Sequence, residues 1–217
     1  MTAAAALRAR GVSRSYGARV ALEPTDLDVN AGEIVVLLGP NGAGKSTLLA
    51  LLAGALPASA GGVETDLEAV AIGWAPQRPA QYRRLSAREN LTLFARLQRL
   101  PEPVVAAEAL LAEFELPPDS RPSAHLSVGN QQRLNLAIAF LGAPRVLLLD
   151  EPTASLDPPQ ARALWSRIVR ARKGGAGAVV ATHMLDEALQ ADRVLALRDG
   201  NVVFSGTPAE YLEGERH

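Results

Sequence analysis

Apolar residues occur in short uninterrupted runs that alternate with longer stretches of helical spacing. Runs without polar interruption are typical of strands buried on both faces of a sheet, and they occur at residues 34–38, 146–149 and 178–181. Apolar positions of helical type follow at residues 47–56 and 158–173. Buried strands that alternate with helices predict an α/β fold with a mostly parallel sheet.

The other segments predict different elements. Residues 7–38 are rich in strand formers, and residues 194–204 predict a hairpin around the turn at residues 199–201. Residues 57–77 are rich in glycine and alanine and predict a weak strand near their end. Residues 85–141 predict several helices, because prolines interrupt the helical pattern.

The helical stretch is long enough to form a lobe of its own. We therefore predict one domain over residues 1–217, built from two lobes that share one ligand site. A catalytic and β-sheet core would take residues 1–77 and 142–217, and a helical lobe would take residues 78–141.

The composition narrows the classes of function. With 48% hydrophobic and 21% charged residues, the chain can bury a substantial core, and its net charge of −1 gives no reason to expect nucleic-acid binding. The absence of cysteine excludes disulfides, thiolate metal sites and cysteine nucleophiles. No stretch approaches the roughly 20 apolar residues that span a bilayer, so a function at a membrane would require another polypeptide to cross it.

A glycine-rich motif carries the first chemical signal. Residues 39–47 read GPNGAGKST and fit the phosphate-loop pattern G-x-x-x-x-G-K-[ST]. Glycines let backbone N–H groups turn inward around phosphate oxygens, and the following helix presents its positive N-terminus. Lys45 would reach the β- and γ-phosphates of ATP, and Ser46 would ligate Mg²⁺. The residues predicted to hold the nucleotide here are Gly39, Asn41, Gly42, Gly44, Lys45, Ser46 and Thr47.

Two adjacent carboxylates carry the second signal. Asp150 ends a buried apolar strand, where a carboxylate is costly unless a cation compensates its charge. In a phosphate-loop protein that cation would be Mg²⁺. Glu151 follows directly and is placed to orient or deprotonate an attacking water.

Five further segments follow an order known from one family. Residues 126–133 read LSVGNQQR, close to the signature LSGGQ, and residues 145–152 read RVLLLDEP, like the family's Walker B segment. Residues 155–157 match the D-loop, His183 matches the switch histidine after the third buried strand, and Gln77 matches the Q-loop. The chain therefore resembles the nucleotide-binding domain of ABC ATPases over nearly its whole length.

That resemblance implies a fold and a set of catalytic roles. The fold would be a RecA-like P-loop NTPase core with an N-terminal antiparallel β-subdomain and an ABC-type helical subdomain. His183 would hydrogen-bond the γ-phosphate, and Gln77 would sense the γ-phosphate or Mg²⁺. The catalytic residues implied are Glu151, His183, Gln77 and Lys45, and the metal ligands are Ser46, Gln77 and Asp150.

The resemblance also implies a dimer with shared sites. Ser127 and Gly129 of the signature would bind the γ-phosphate held by the opposite chain, in a second anion site at a helix start. Tyr16 falls where the family stacks an aromatic ring on adenine, and Asp157 of the D-loop is counted with the nucleotide-binding residues. Closure of the two chains around ATP would turn binding into motion.

Two departures from the family pattern stand out. Val128 and Asn130 replace the commoner glycine and glutamine of the signature, and a valine narrows the backbone freedom of that position. Ser127 and Gly129 remain, so we expect the signature to work. Residues 57–72 look short for the family, which predicts a trimmed antiparallel edge.

Arginines concentrate just after the Q-loop, and we call this set the arginine cluster. Only one acid, Glu89, occurs between residues 78 and 99, which leaves a local balance of +5. The six arginines are Arg78, Arg83, Arg84, Arg88, Arg96 and Arg99. The cluster fits a solvated helical face or a docking surface for a membrane partner or anionic lipid headgroups. Residues 82–91, YRRLSARENL, resemble the matching stretch of exporter-type subunits.

Several functions fit these features. We expect foremost an ATPase subunit of an ABC exporter, which dimerises on ATP and drives integral membrane transporter subunits. An importer ATPase subunit and a soluble ABC ATPase acting on ribosomes or DNA are the alternatives; the chain lacks the second domain or the heptad insertion of the latter class. A regulator without turnover is disfavoured by the intact Glu151 and His183.

The expected partners and location follow from that hypothesis. The second ATPase chain would be identical or a paralogue, no nucleic acid would bind, and the protein would lie in the cytoplasm, peripheral on the inner face of the cell membrane. The cargo is not encoded in these motifs, because membrane subunits select it in this family.

Overall fold

The computed structural model describes residues 5–65 and 71–214. Its first sheet is antiparallel and consists, in spatial order, of Arg19–Asn30 (β2), Ala5–Tyr16 (β1) and Ala60–Glu64 (β4). β1 and β2 form a hairpin in which Tyr16 pairs with Arg19 across a two-residue turn. Alternate residues of β2, such as Leu27, are buried because one face of this sheet packs on the rest of the domain.

The second sheet has six strands and carries the site. In spatial order they are Ile72–Ala75 (β5), Val146–Asp150 (β6), Gly177–Thr182 (β7), Ile34–Leu38 (β3), Arg193–Arg198 (β8) and Asn201–Gly206 (β9). The first five are parallel and β9 is antiparallel to β8. Every residue of β3, β6 and β7 is buried, as their uninterrupted apolar runs predicted. Parallel pairing places the carboxyl ends of these strands at one edge.

Side-chain alternation along β3 divides the core into two layers. Val35 faces the layer that contains the helix Lys45–Leu52 (α1) and the antiparallel sheet. Ile34 faces the opposite layer, which contains the helix Pro158–Lys173 (α5) and the helical region. The central sheet is therefore covered on both faces, and its apolar strands need no polar side chains.

The helical region contains separate helices, as its prolines predicted. Three α-helices, at Ala87–Leu97 (α2), Pro103–Glu113 (α3) and Val128–Ala139 (α4), are accompanied by a short 3₁₀ helix at Ser123–His125. Ser86 and Glu89 form a capping box at the start of α2. Pro103 stands at the first position of α3, where the missing N–H has no helical partner to lose. The lobe boundaries at residues 78 and 141 remain a prediction.

Two short helices complete the described chain, Leu185–Ala188 (α6) after β7 and Pro208–Gly214 (α7) at the end. α1 is shorter than the predicted helix over residues 47–56. Gly54 adopts a φ of +67°, and the N–H of Ala55 donates to the carbonyl of Ala50 at 3.0 Å. This left-handed cap ends the helix, so Ala55 and Leu56 do not extend it.

The glycine-rich stretch after α1 contributes β4, which pairs with β1. Gly61 of β4 lies so close to the backbone of Gly11 that a Cβ would overlap the Gly11 carbonyl. Glycine is therefore required where the backbones of these two paired strands come this close. Residues 66–70 lie outside the described residues, and the predicted trimming of this edge stays a prediction.

Candidate functional site

A cavity of about 730 Å³ lies at the edge where β3, β5 and β6 end. The β1–β2 turn and the β8–β9 turn close its sides. The predicted residues that line it are Tyr16, Asn41, Gly42, Gly44, Lys45, Ser46, Thr47, Gln77 and Glu151. Residues far apart in sequence thus meet because the carboxyl ends of parallel strands share one edge.

The phosphate loop needs glycine for steric reasons that the structure shows directly. A Cβ at Gly39 would overlap the carbonyl of Leu197 in β8. Gly44 has a φ of +104°, and a Cβ there would lie 2.9 Å from the carbonyl oxygen of Ala21 in β2. The loop is therefore held against both sheets, and α1 begins at once after it with its unpaired N–H groups at the cavity.

Lys45 is a buried cation inside this loop. Its Nζ donates to the carbonyl oxygens of Gly39 at 2.7 Å and Pro40 at 3.1 Å, and it lies 3.6 Å from Oε1 of Glu151. A buried ammonium is tolerated because these oxygens replace its lost water. The positive charge is thereby fixed beside the cavity.

Asp150 is buried at the end of β6 and makes the strongest case for a cation. Burial raises the pKa of its carboxyl, whereas hydrogen bonds from the Ser46 hydroxyl and the Gln77 backbone N–H lower it. Its Oδ1 is buried with no hydrogen-bond partner. An orphaned carboxylate oxygen beside a serine hydroxyl is an oxygen ligand set of the kind that Mg²⁺ takes. The residues present therefore fit the predicted ion.

Glu151 stands in a strained conformation at the same strand end. It is only 7% exposed, and its φ of +46° is in the left-handed region that non-glycine residues rarely adopt. His183 Nδ1 lies 3.0 Å from Oε2 of Glu151 and 3.1 Å from Oε1. Strain at such a position is typical of a functional side chain that its surroundings hold in place. The sequence carries no signal for this φ.

Tyr16 lies at the opposite side of the cavity and is 52% exposed. The guanidinium of Arg14 lies 4.7 Å from the centre of its ring, and Arg14 is itself bonded to the carbonyl of Pro57 at 2.9 Å. Arg14 is not among the cavity-lining residues, so it packs on the ring away from the cavity. The ring therefore keeps free area for an aromatic ligand.

The signature and D-loop residues form a separate surface. Ser127 caps α4 by accepting from the N–H of Asn130 at 3.2 Å, and Asp157 caps α5 in the same way. A Cβ at Gly129 would lie 3.2 Å from the carbonyl of Ser155, so the two motifs touch. None of Ser127, Gly129 and Asp157 is among the residues that line the cavity. The structure thus brings the signature and the D-loop into contact outside the lining of the phosphate-loop cavity.

Comparison with known proteins places the chain in a family. The family model described as ABC transporter matches residues 22–154. The hypophosphite import ATP-binding protein HtxD of Stutzerimonas stutzeri is 36% identical, over 98% of this chain and 70% of that protein. The Nod factor export ATP-binding protein I of Sinorhizobium fredii is 35% identical, over 96% and 64% respectively. This chain belongs to the ABC transporter family.

Other relatives are much longer. The ABC transporter G family member 23 of Dictyostelium discoideum is 32% identical over 91% of this chain, which spans only 30% of that protein. The cassette therefore covers less than two thirds of this relative and of the Sinorhizobium one.

Solved structures share the fold of this ABC cassette. One described as the ATP binding subunit of an ABC transporter has a TM-score of 0.87 and 31% identity, covering 97% of this chain and 93% of that chain. The cassette MJ0796, in a dimeric post-hydrolysis state with ADP and Pi, has a TM-score of 0.85 and 26% identity, covering 93% and 98%. The predicted RecA-like core with β- and helical subdomains is thereby confirmed.

Some cavity residues of the cassette escaped sequence reasoning. Arg19, Val20 and Ala21 line the cavity beside Tyr16, and Asp199 and Gly200 line it from the β8–β9 turn. The turn itself was predicted from its Asp-Gly-Asn sequence, but nothing local shows that it packs on the phosphate loop.

None of the helices described in residues 5–65 and 71–214 has the length and apolar character of a membrane-spanning segment.

Proposed function

We propose that this cassette binds and hydrolyses Mg–ATP as the ATPase subunit of an ABC exporter, and that two such chains close on ATP beneath integral membrane subunits. The observation that carries the proposal is the cluster of Lys45, Asp150, Glu151 and His183, of which Lys45 and Glu151 line the glycine-rich cavity. Cation, carboxylates and imidazole at one strand edge are the groups that phosphoryl transfer requires.

Nucleotide binding would use three parts of the cavity. Backbone N–H groups of the loop from Gly39 to Gly44 and the start of α1 would hold the phosphates. Lys45, already dehydrated, would neutralise their charge without a large reorganisation. The free face of Tyr16 would stack on adenine, with Asn41 and Thr47 beside the phosphates.

The ion would be held by Ser46, Asp150 and Gln77. A bound Mg²⁺ would supply positive charge that offsets the charge developing on the phosphate oxygens during transfer. The buried, unpartnered oxygen of Asp150 supports this assignment. A cation would compensate the lost hydration of the carboxylate, which is what raises its pKa.

Glu151 would act as the base for the attacking water. Its carboxylate faces the cavity, and Lys45 and His183 lie at two of its sides. The contact through Nδ1 leaves Nε2 of His183 free for a γ-phosphate oxygen, and the ring in its imidazolium form would donate one N–H to each of these two acceptors. The left-handed backbone at Glu151 supports a side chain held ready for the reaction.

The separate position of Ser127, Gly129 and Asp157 supports a two-chain site. Each chain would offer its signature to the ATP held by the other chain. The Ser127 hydroxyl accepts the Asn130 N–H and still has its own proton to donate to a phosphate oxygen. The dimeric MJ0796 cassette is a structural neighbour that supports such pairing.

The arginine cluster supports a membrane partner next to the Q-loop. Arg88 is paired with Glu108 at 2.8 Å. Within the described residues, the other five have no acidic partner and are exposed: Arg78, Arg83, Arg84, Arg96 and Arg99. Unpaired exposed charge favours an anionic or polar partner surface. We place the protein on the inner face of the cell membrane, and the resemblance of residues 82–91 to exporters favours export.

An importer subunit is the second candidate, because HtxD is named for import and the Sinorhizobium relative for export. The deciding experiment is co-purification from detergent-solubilised membranes of the native host, with partners identified by mass spectrometry. We expect a stoichiometric polytopic membrane protein, whose sequence would indicate the direction of transport. Arg83→Glu with Arg84→Glu should weaken its recovery, while Arg162→Glu should not. Recovery with ribosomes or DNA and no membrane partner would overturn the transport proposal.

A further inference from the structure

The signature helix α4 carries two buried side-chain amides that reach other parts of the site. Gln132 and Asn135 are three residues apart and therefore lie on the same face of the helix. Both are buried, Asn135 to 2% exposure. Buried amides are costly unless their donors and acceptors are bonded, so their partners indicate what they hold.

Asn135 closes the base of the Q-loop. Its Nδ2 donates to the carbonyl of Pro76 at 2.9 Å, and its Oδ1 accepts from the N–H of Ala80 at 3.5 Å. Between these two residues lie only Gln77, Arg78 and Pro79, all exposed. One side-chain amide thus spans the two ends of the three-residue segment that contains Gln77.

The surroundings leave Asn135 little freedom. Gly73 of β5 lies so close to the last turn of α4 that a Cβ would overlap the carbonyl of Ala139. This glycine lets the helix backbone lie directly on the strand that leads into the Q-loop. The distance between helix and loop is therefore set by backbone contact, which fixes where the Asn135 amide can reach.

Gln132 connects the same helix to the turn that follows Glu151. Its Nε2 donates to the carbonyl of Pro152 at 3.1 Å, and Pro152 follows Glu151 directly. Ser127, at the start of α4, belongs to the signature. One rigid helix therefore runs from the signature past the turn after Glu151 to the Q-loop.

We propose that Asn135 is a positioning residue that sets the place of Gln77, and that α4 thereby links the signature to the Q-loop as one body. This inference rests on the proposed ATP hydrolysis, in which Gln77 contacts the ion. Without the two bonds from Asn135, the segment from Gln77 to Pro79 loses the side chain that joins its two ends, although the Gln77 N–H still bonds Asp150. Hydrolysis then slows because the ion and water are held less accurately, while binding of ATP through the phosphate loop and Tyr16 is retained.

The test compares three variants of the whole chain. Asn135→Ala removes both bonds, and Asn135→Asp keeps the acceptor for Ala80 but turns an acceptor toward the Pro76 carbonyl. Asn90→Ala is the matched control, because Asn90 is equally buried and bonds only the Tyr82–Ser86 backbone. We expect both Asn135 variants to lower kcat roughly tenfold with KM for ATP changed less than about twofold, as for residues that orient metal ligands. Asn90→Ala, measured below its own unfolding temperature, should keep kcat.

A spectroscopic readout separates positioning from simple loss of structure. Trp74 lies three residues before Gln77, and Trp165 is the other tryptophan of the chain. In a Trp165→Phe background, adding ATP and Mg²⁺ should change Trp74 emission, and the change should shrink in both Asn135 variants but persist in Asn90→Ala.

The outcomes distinguish failure of the proposed ATP hydrolysis from failure of the positioning role of Asn135. An inactive wild type, alone and with its membrane partner, would overturn the proposed function. An active wild type with equal effects of Asn135→Ala and Asn90→Ala on kcat and on Trp74 emission would overturn the positioning role alone. Full activity of Asn135→Asp would also overturn it, because the Pro76 bond is the shorter of the two.

Discussion

The cavity at the sheet edge differs from the signature surface in the burial of its polar groups. We define the signature surface by Ser127, Val128, Gly129 and Asp157. In the cavity, Lys45, Asp150 and Glu151 are buried and contact one another or the loop backbone. On the signature surface the same kinds of polar group are exposed, and Val128 is 69% exposed.

The difference teaches how the site is divided. Buried charges need compensating groups, and Lys45 and Glu151 find theirs within one chain. Helix-cap side chains such as Ser127 are stable while exposed to water, so they need no ligand until another chain presents one.

The largest expected effect is in the cavity, at the buried Glu151. Glu151→Gln keeps the shape of the side chain but removes the base, so ATP hydrolysis should fall about a hundredfold or more. A phosphate-release assay of the chain measures this, with the exposed Glu108→Gln as control. Equal rates for Glu151→Gln and wild type would remove Glu151 from the catalytic role.

The same variant tests whether the two regions work together. With hydrolysis blocked, ATP and Mg²⁺ should hold two Glu151→Gln chains in a dimer, which light scattering would detect. Adding Lys45→Ala should abolish the dimer, because the phosphates lose their main cation. A monomer at saturating ATP would contradict the shared site.

A smaller effect is expected when the signature surface alone is altered. Ser127→Ala and Ser86→Ala each remove a helix cap and should each lower the free energy of unfolding by about 1 kcal/mol. Only Ser127→Ala should also prevent dimerisation of the Glu151→Gln chain, whereas ATP binding to the single chain should persist. If both cap variants dimerise equally well, the Ser127 hydroxyl contributes stability and not phosphate binding.

The smallest expected effect is the pH dependence of stability that the buried carboxyl group of Asp150 causes. Because burial raises the pKa of Asp150 above its ordinary value of 3.8, its contribution to the free energy of unfolding is fully present below pH 3.8. That contribution is lost as the pH rises through the raised pKa. Denaturant titrations without nucleotide should therefore show wild type losing stability relative to Asp150→Asn as the pH rises. Parallel pH profiles would show that Asp150 is compensated within the chain.

Sequence reasoning found most of the cavity because its chemistry depends on neighbours in the chain. The phosphate loop needs its glycines and lysine at fixed spacing, and Asp150 and Glu151 stand together after a buried strand. It missed Arg19 and Gly200, which reach the cavity through turns whose packing partners are distant in sequence. The length of α1 was overestimated because the apolar pattern continues past the left-handed cap at Gly54.

The sequence by itself determined which elements form and which side chains carry charge, because these depend on local spacing and residue type. Only the tertiary structure decided which of these groups meet. It placed His183 against Glu151, stacked Arg14 on Tyr16, and joined Asn135 to the base of the Q-loop. It also kept the signature away from the phosphate loop within one chain. Such contacts depend on the order of strands in the sheet and on backbone approaches at single glycines, which local sequence patterns do not encode.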